Sequence, residues 1–206
     1  MSSFARQATQ IFAGGVTGAS DAEVPLIGMT DGALVKSTLD GDARAFTELV
    51  DRHAAASLRF ATRMLGDRSE AEDVAQETFL RAFKALGSYD ERLPFRTWLF
   101  SILINRCRTA MSQRMRRERR VVFDSEALER SSVEAAQESI ELREELNRAI
   151  ASLSPEQREA FLLRHIEELS YEEIMSVTGA GMSALKMRVK RACERLQQLL
   201  TEGVRG

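Results

Sequence analysis

Arg106, Arg108, Arg114, Arg116, Arg117, Arg119 and Arg120 fall within one short stretch that contains a single acid, Glu118. A guanidinium stays charged and offers donors in a planar fork, so its chemistry is recognition of phosphate or carboxylate. A second basic set, Lys186, Arg188, Lys190 and Arg191, lies near the C-terminus. Bond-making groups are scarce. The chain has two histidines, two cysteines, no phosphate-binding glycine loop and no cluster at metal-ligand spacing. The expectation is a protein that binds polyanions, with no catalytic residues, cofactor, metal or small-molecule substrate.

These groups need elements to position them. Phe95–Arg120 opens with Trp98, Leu99, Ile102, Leu103 and Cys107 near one helical stripe and ends as a cationic rod. That pattern predicts a helix anchored at one end and in contact with a polyanion at the other, although an arginine-rich helix end is also commonly just a solvated face. Tyr89, Phe95, Trp98 and Phe100 crowd its start, and aromatics beside cations suit stacking on unpaired bases. Core packing is the competing reading, favoured for Trp98.

The second basic set is the stronger signal. Ser170-Tyr-Glu-Glu173 reads as a capping box for a short helix through Ile174 and Val177, and Thr178-Gly-Ala-Gly181 reads as a turn. A further helix follows from Ser183 to about Leu200, with Leu185, Val189, Ala192, Leu196 and Leu199 inward. A short helix, a glycine turn and a helix with its cations outward make a helix-turn-helix pattern.

Elsewhere the chain is also helical in pattern. Phe46, Leu49, Val50, His53, Phe60, Ala61 and Met64 follow one long amphipathic helix. His53 has no Cys or carboxylate at ligand spacing, so a satisfied, partly buried histidine is expected. Gly66-Asp67 should close this helix, and Ser69–Glu72 should cap the next, whose inner face carries Ala71, Val74, Ala75, Thr78, Phe79, Ala82, Phe83 and Leu86. Pro94 suits the first turn of the Phe95 helix. Ser154-Pro-Glu-Gln157 is a further capping box.

The 206 residues suffice for one domain or two small ones, and only three prolines point toward helix. The net charge of −2 hides a blocked distribution, because eight acids between Asp124 and Glu145 face only Arg130 and Arg143. Cys107 and Cys193 are expected as free thiols on apolar helical positions. No run of about 18 apolar residues predicts membrane insertion, and no secretory signal is evident. A cytoplasmic location is expected.

Three segments in order, GDRSEAEDVAQETFLRAFKAL, FRTWLFSILINRC and LSPEQREAFLLRHIEELSYEEI, resemble the extracytoplasmic-function (group IV) sigma factors of the sigma-70 family. The resemblance covers nearly everything after residue 35. It implies an all-α fold of two small helical domains, a sigma region 2 bundle over 30–113 and a sigma region 4 helix-turn-helix over 139–202. A flexible linker over 114–138 would join them, after a disordered N-terminal tail over 1–29. It also implies a transcription initiation factor that brings core RNA polymerase to promoter DNA, reads the −35 element as duplex and stabilises the melted −10 element.

By the same resemblance Asp73, Gln76 and Glu77 dock on the polymerase (the β′ clamp, with β also engaged). Phe95, Trp98, Asn105, Arg106 and Arg108 serve the −10 DNA, with Asn105 matching an asparagine that binds a flipped base. Ser183, Lys186, Met187, Arg188, Lys190 and Arg191 face the −35 DNA. An anti-sigma factor is an expected partner. Two departures stand out: Thr109 occupies a position usually acidic, and GAGMSALKMRV replaces a turn with proline followed by Val-Gly-Thr-Val. Ala184 and Met187 thereby replace small polar residues, so base contacts in the −35 box should differ.

Two other readings compete. A dimeric helix-turn-helix regulator explains Ser170–Leu200 but leaves Asp67–Arg120 without a role. An enzyme lacks a constellation to carry its chemistry.

Overall fold

The computed structural model describes residue 26, residues 28–121 and residues 145–203. Nearly all of the expected tail and most of the expected linker lie outside the described residues. The chain divides into two compact units: Met1–Thr62 with Asp67–Cys107, and Arg63–Gly66 with Arg108–Gly206.

The first unit begins with α1, Asp31–Leu39, which periodicity did not single out. Thr30 caps it by accepting from the Ala33 N–H at 3.3 Å, and Leu34 and Val35 are buried. Asp40 ends it, and Gly41 takes a φ of 106° that only glycine adopts without strain. Helix α2, Ala43–Leu65, follows and buries Phe46, Leu49, Val50, Phe60, Ala61 and Met64, the expected stripe. Gly66, at φ 74°, closes it.

Helix α3 spans Arg68–Ala85. Its cap is Asp67 and not Ser69 as the sequence suggested. The Asp67 backbone is already extended, and its Oδ1 accepts from the Glu70 N–H at 2.7 Å. A carboxylate there also meets the positive end of the helix dipole, so the helix starts before Ser69 is reached. Ala71, Val74, Ala75, Thr78, Phe79 and Ala82 are buried as expected. Phe83 is only half-buried and sets its ring edge-on to Phe46, centroids 5.0 Å apart.

Helix α4 spans Phe95–Val121. Pro94 stands just before it and not in its first turn; its carbonyl accepts from the Trp98 N–H at 3.1 Å, so its missing N–H costs nothing. Leu99, Phe100, Leu103, Ile104 and Cys107 are buried, a wider band than one stripe. The helix continues through residues 114–121, which the sequence reading gave to the linker.

In the second unit, residues 145–151 form α5. Helix α6, Pro155–Phe161, is capped by the Ser154 hydroxyl, which accepts from the Gln157 N–H at 3.4 Å. A π turn over Leu162–Ile166 leads to Glu168, which holds a left-handed φ of 57°. Helix α7, Tyr171–Thr178, carries the expected capping box in full: Ser170 N–H donates to Glu173 at 2.8 Å, and Glu173 N–H donates to Ser170 Oγ at 3.1 Å. Gly179 caps its end in the left-handed region, donating to the Met175 carbonyl at 2.9 Å. Helix α8, Met182–Gly203, packs against α6 and α7 and buries Leu185, Val189, Ala192 and Leu196. Every regular element among the described residues is helical.

Candidate nucleic-acid interface

In the first unit the aromatic corner is a packed cluster. Phe95 lies 5.4 Å from the His53 ring, 5.6 Å from Tyr89 and 5.5 Å from Trp98, centroid to centroid. Phe95 is 2% exposed. Its ring is enclosed by these neighbours and supports the corner from within. Trp98 is half-buried against the same core, which fits the packing role favoured for it. Trp98, Ile102 and Asn105 follow one another at i, i+4 and i+7, so they share a strip of α4. Asn105 is at the exposed end of that strip.

His53 anchors the corner from behind. Its Nε2 lies 2.7 Å from Asp31 Oδ2, and Arg52 donates to the other Asp31 oxygen at 3.1 Å and to the Met29 carbonyl at 2.7 Å. This clasp ties the start of α1 to α2. Burial pulls the His53 pKa below its usual value, outweighing the hydrogen bond and charge of Asp31, while Arg96 and Arg52 add to the lowering. A base whose folded pKa is depressed binds its proton more readily when unfolded. The corresponding stability is complete above about pH 6.5 and is lost as the pH falls from there through the folded value. The melting temperature should therefore decline between pH 7 and pH 5 more steeply in the native protein than in His53→Gln. Parallel curves for the two proteins would show that His53 is not the group responsible.

On α3, Asp73 is exposed, and Gln76 and Glu77 are half-exposed at i+3 and i+4 from it, on one face. Glu77 is already engaged. Arg81 Nη2 donates to its Oε1 at 2.9 Å, and Arg106 of α4 donates to its Oε2. Burial raises the Glu77 pKa, yet the Arg81 hydrogen bond and the Arg106 charge together hold it below the ordinary carboxylate value. Arg106 is mostly buried, and its Nε has no partner among the described residues. One docking candidate and one −10 candidate are thus each other's partners. Sequence alone does not reveal such a pair, because 29 residues separate them.

Arg108, in the second unit, donates to both oxygens of the buried Glu159 at 2.8 and 2.6 Å. Its guanidinium is therefore held by a carboxylate in this structure.

In the helix-turn-helix, Ser183, Ala184, Lys186, Met187, Lys190 and Arg191 are exposed on α8. Arg188 is turned aside and pairs with Glu156 at 3.1 Å. Lys190 lies 3.7 Å from Glu194, a loose surface pair. The sequence reading missed Tyr171 and Arg164. The Lys186 ammonium lies 5.8 Å and the Arg164 guanidinium 5.2 Å from the centre of the Tyr171 ring, so one aromatic holds two cations at the mouth of the motif. Arg164 is also fixed by donating to the Leu169 carbonyl at 2.9 Å. An aromatic directly after the Ser170 cap was the only sequence signal for this arrangement.

Cys107 and Cys193 are both free thiols. Cys107 is buried as expected, whereas Cys193 is half-exposed, 3.6 Å from His165 Nε2, with its pKa raised by burial.

Two family models match the chain, "Sigma-70 region 2" over residues 49–120 and "Sigma-70, region 4" over residues 143–196. The chain belongs to the sigma-70 family, among its extracytoplasmic-function members. It is an RNA polymerase sigma factor. The RNA polymerase sigma-H factor of Pseudomonas aeruginosa is 34% identical, the match spanning 82% of this chain and 93% of that one. The extracytoplasmic-function sigma factor SigW of Bacillus subtilis is 31% identical, over 82% and 95%.

Among solved structures, the sigma factor RpoE of Bartonella quintana, in complex with the anti-sigma factor NepR, superposes with a TM-score of 0.63 at 31% identity. That match covers 76% of this sigma factor and 96% of RpoE. CnrH, in complex with the cytosolic domain of CnrY, gives 0.62 at 31% identity, over 84% and 97%. Within the sigma factor, most of α2, all of α3 and nearly all of α4 fall in region 2, and the helix-turn-helix falls in region 4.

Proposed function

We propose that this sigma factor brings core polymerase to promoters whose −35 element it reads as duplex and whose −10 element it holds as an open strand. The observation that carries this is the helix-turn-helix. A fully capped α7, the left-handed Gly179 and an α8 with Lys186, Lys190 and Arg191 outward form a rigid support for a helix in the major groove. Lys and Arg contacts to phosphate set register and salt dependence, and base-edge contacts set specificity. The −10 strand would lie along the Trp98–Asn105 strip, with Asn105 on a flipped base. Melting then requires only that the open strand bind more tightly than the duplex, since a ligand shifts an equilibrium by its differential affinity.

Docking on the β′ clamp is assigned to the α3 face of Asp73, Gln76 and Glu77. NepR beside RpoE and CnrY beside CnrH support an anti-sigma partner here as well. A cytoplasmic location accords with these partners, and no helix among the described residues is long and apolar enough to cross a membrane. Division into a region 2 part that runs to the end of α4 and a region 4 part, with a linker between, belongs to this proposal, as does function as an initiation factor without catalysis of its own.

Run-off transcription with core polymerase on a randomised promoter library tests the reading and yields the promoter. On that promoter Arg191→Ala should weaken −35 protection about tenfold, the value of one good guanine contact. Asn105→Ala should impair open-complex formation far more than closed-complex binding. Tight binding of duplex by the protein alone, with no response to polymerase, would overturn the proposal in favour of a free-standing helix-turn-helix regulator.

A further inference from the structure

At roughly 100° per residue, Met187 lies roughly 170° from the buried stripe of Leu185, Val189, Ala192 and Leu196, at the crest of α8. It is 48% exposed, one of four large apolar side chains left so among the described residues. Also on this crest are Ser183 and Ala184 one turn before it, Lys190 and Arg191 one turn after and Glu194 two turns after, all exposed, with Glu194 3.7 Å from Lys190. Lys186 is drawn toward Tyr171, and Arg188 toward Glu156. The exposed crest of the motif thus carries a thioether with small residues before it and cations after it.

A thioether has no donor to offer a phosphate, so Met187 does not share the chemistry of its charged neighbours. It is polarisable and adapts its shape to an apolar surface. Lys190 and Arg191, one turn further along, call for a polyanion, which disfavours an apolar protein groove as the natural occupant. In the major groove of B-DNA the apolar group on a base edge is the C5-methyl of thymine. Ser183 and Ala184, being small, let the N-terminal half of α8 come close enough for the contact.

We infer that Met187 is a specificity-determining residue that packs on a thymine methyl in the −35 duplex, next to the base edge taken by Arg191. The inference rests on the −35 reading proposed above and goes further by stating which chemical feature of the base is read. It makes the −35 element depend on a methyl group that contributes no hydrogen bond.

Deoxyuridine lacks only that methyl, so the test replaces each −35 thymine by deoxyuridine, one at a time, in the promoter obtained from the library. Binding is measured with the reconstituted holoenzyme. Native holoenzyme should lose about three- to fivefold at one or two positions, as expected for one buried methyl. Met187→Ala should bind the thymine promoter more weakly and be indifferent to deoxyuridine at those positions. Met187→Leu should keep the discrimination. Met187 is exposed, so neither substitution threatens the fold.

The inference is overturned if no single methyl matters to native holoenzyme, or if Met187→Ala responds to deoxyuridine as the native protein does. It is also overturned if Arg191→Ala leaves −35 protection intact, and then the −35 reading falls with it. Protection lost in Arg191→Ala without any methyl dependence sinks the Met187 contact alone.

Discussion

Replacing Asp73 and Gln76 together by lysine is expected to lower the affinity for core polymerase by about 100-fold or more, with the fold unchanged. Asp73 is exposed and Gln76 half-exposed on one face of α3, away from the buried stripe of Val74, Ala75 and Thr78. A lysine in place of Asp73 would stand four residues before Glu77, a spacing that favours the helix by a few tenths of a kcal/mol. At a docking surface, however, reversing one charge and adding another turns attraction into repulsion. A hundredfold loss corresponds to about 2.7 kcal/mol, ordinary for interface centres. Competition with a labelled native sigma factor for core polymerase measures it, and circular dichroism checks the fold. Normal holoenzyme formation by a folded variant would remove Asp73 and Gln76 from the docking surface.

Glu77 is omitted from that variant for a physical reason. Because Arg81 and Arg106 share its carboxylate, its loss would also leave the mostly buried guanidinium of Arg106 without its anion. A change there would report on the packing of α4 against α3 as well as on docking.

The second large effect is expected from Arg158→Ala, which should destabilise the second unit by about 2–4 kcal/mol. Arg158 donates to the carbonyls of Ile150 at 3.1 Å and Leu153 at 3.3 Å, and also to that of Ala151. These carbonyls close α5 and the turn after it, where a helix has no intrahelical donors left. A cation at that end also meets the negative pole of the helix. Its half-buried position lowers the Arg158 pKa by desolvation, so the carbonyl bonds compensate a real penalty. Each acceptor left unmade costs about 1–3 kcal/mol, moderated by water at the exposed edge. Urea unfolding followed by circular dichroism should show the loss. Arg158→Lys should recover only part, because one ammonium does not span these carbonyls. An unchanged unfolding midpoint in Arg158→Ala would refute the role. The same variant should retain polymerase docking and lose −35 binding, since α8 rests on this unit's core.

Much of the fold is legible in the sequence, and the kind of residue explains which parts are. Capping boxes are local, so Ser170 and Glu173 announced the start of α7, and Gly179 announced its end. The outward cations of α8 followed from an inward stripe of period 3.6. Where the sequence misled, a nearer group competed for the same role. Asp67 capped α3 before Ser69 had the chance, and α1 was overlooked because nine residues with two buried side chains carry little periodic signal. Similarly, α4 continued past residue 113 because nothing between Arg114 and Val121 breaks a helix.

By itself, the sequence determined that the chain is helical, that a helix-turn-helix ends it, which faces are apolar and where the cations concentrate. All of these depend on residues within a few turns of each other, which helical geometry brings together unaided. Only the tertiary structure decided which of those charges are engaged. Glu77 meets Arg106 across 29 residues, Asp31 meets His53 across 22 and Glu159 meets Arg108 across 51. Phe95 became a buried support, and Met187 was left at the crest of α8. Those outcomes follow from how helices pack, and packing brings together residues whose distance in the chain carries no pattern to read.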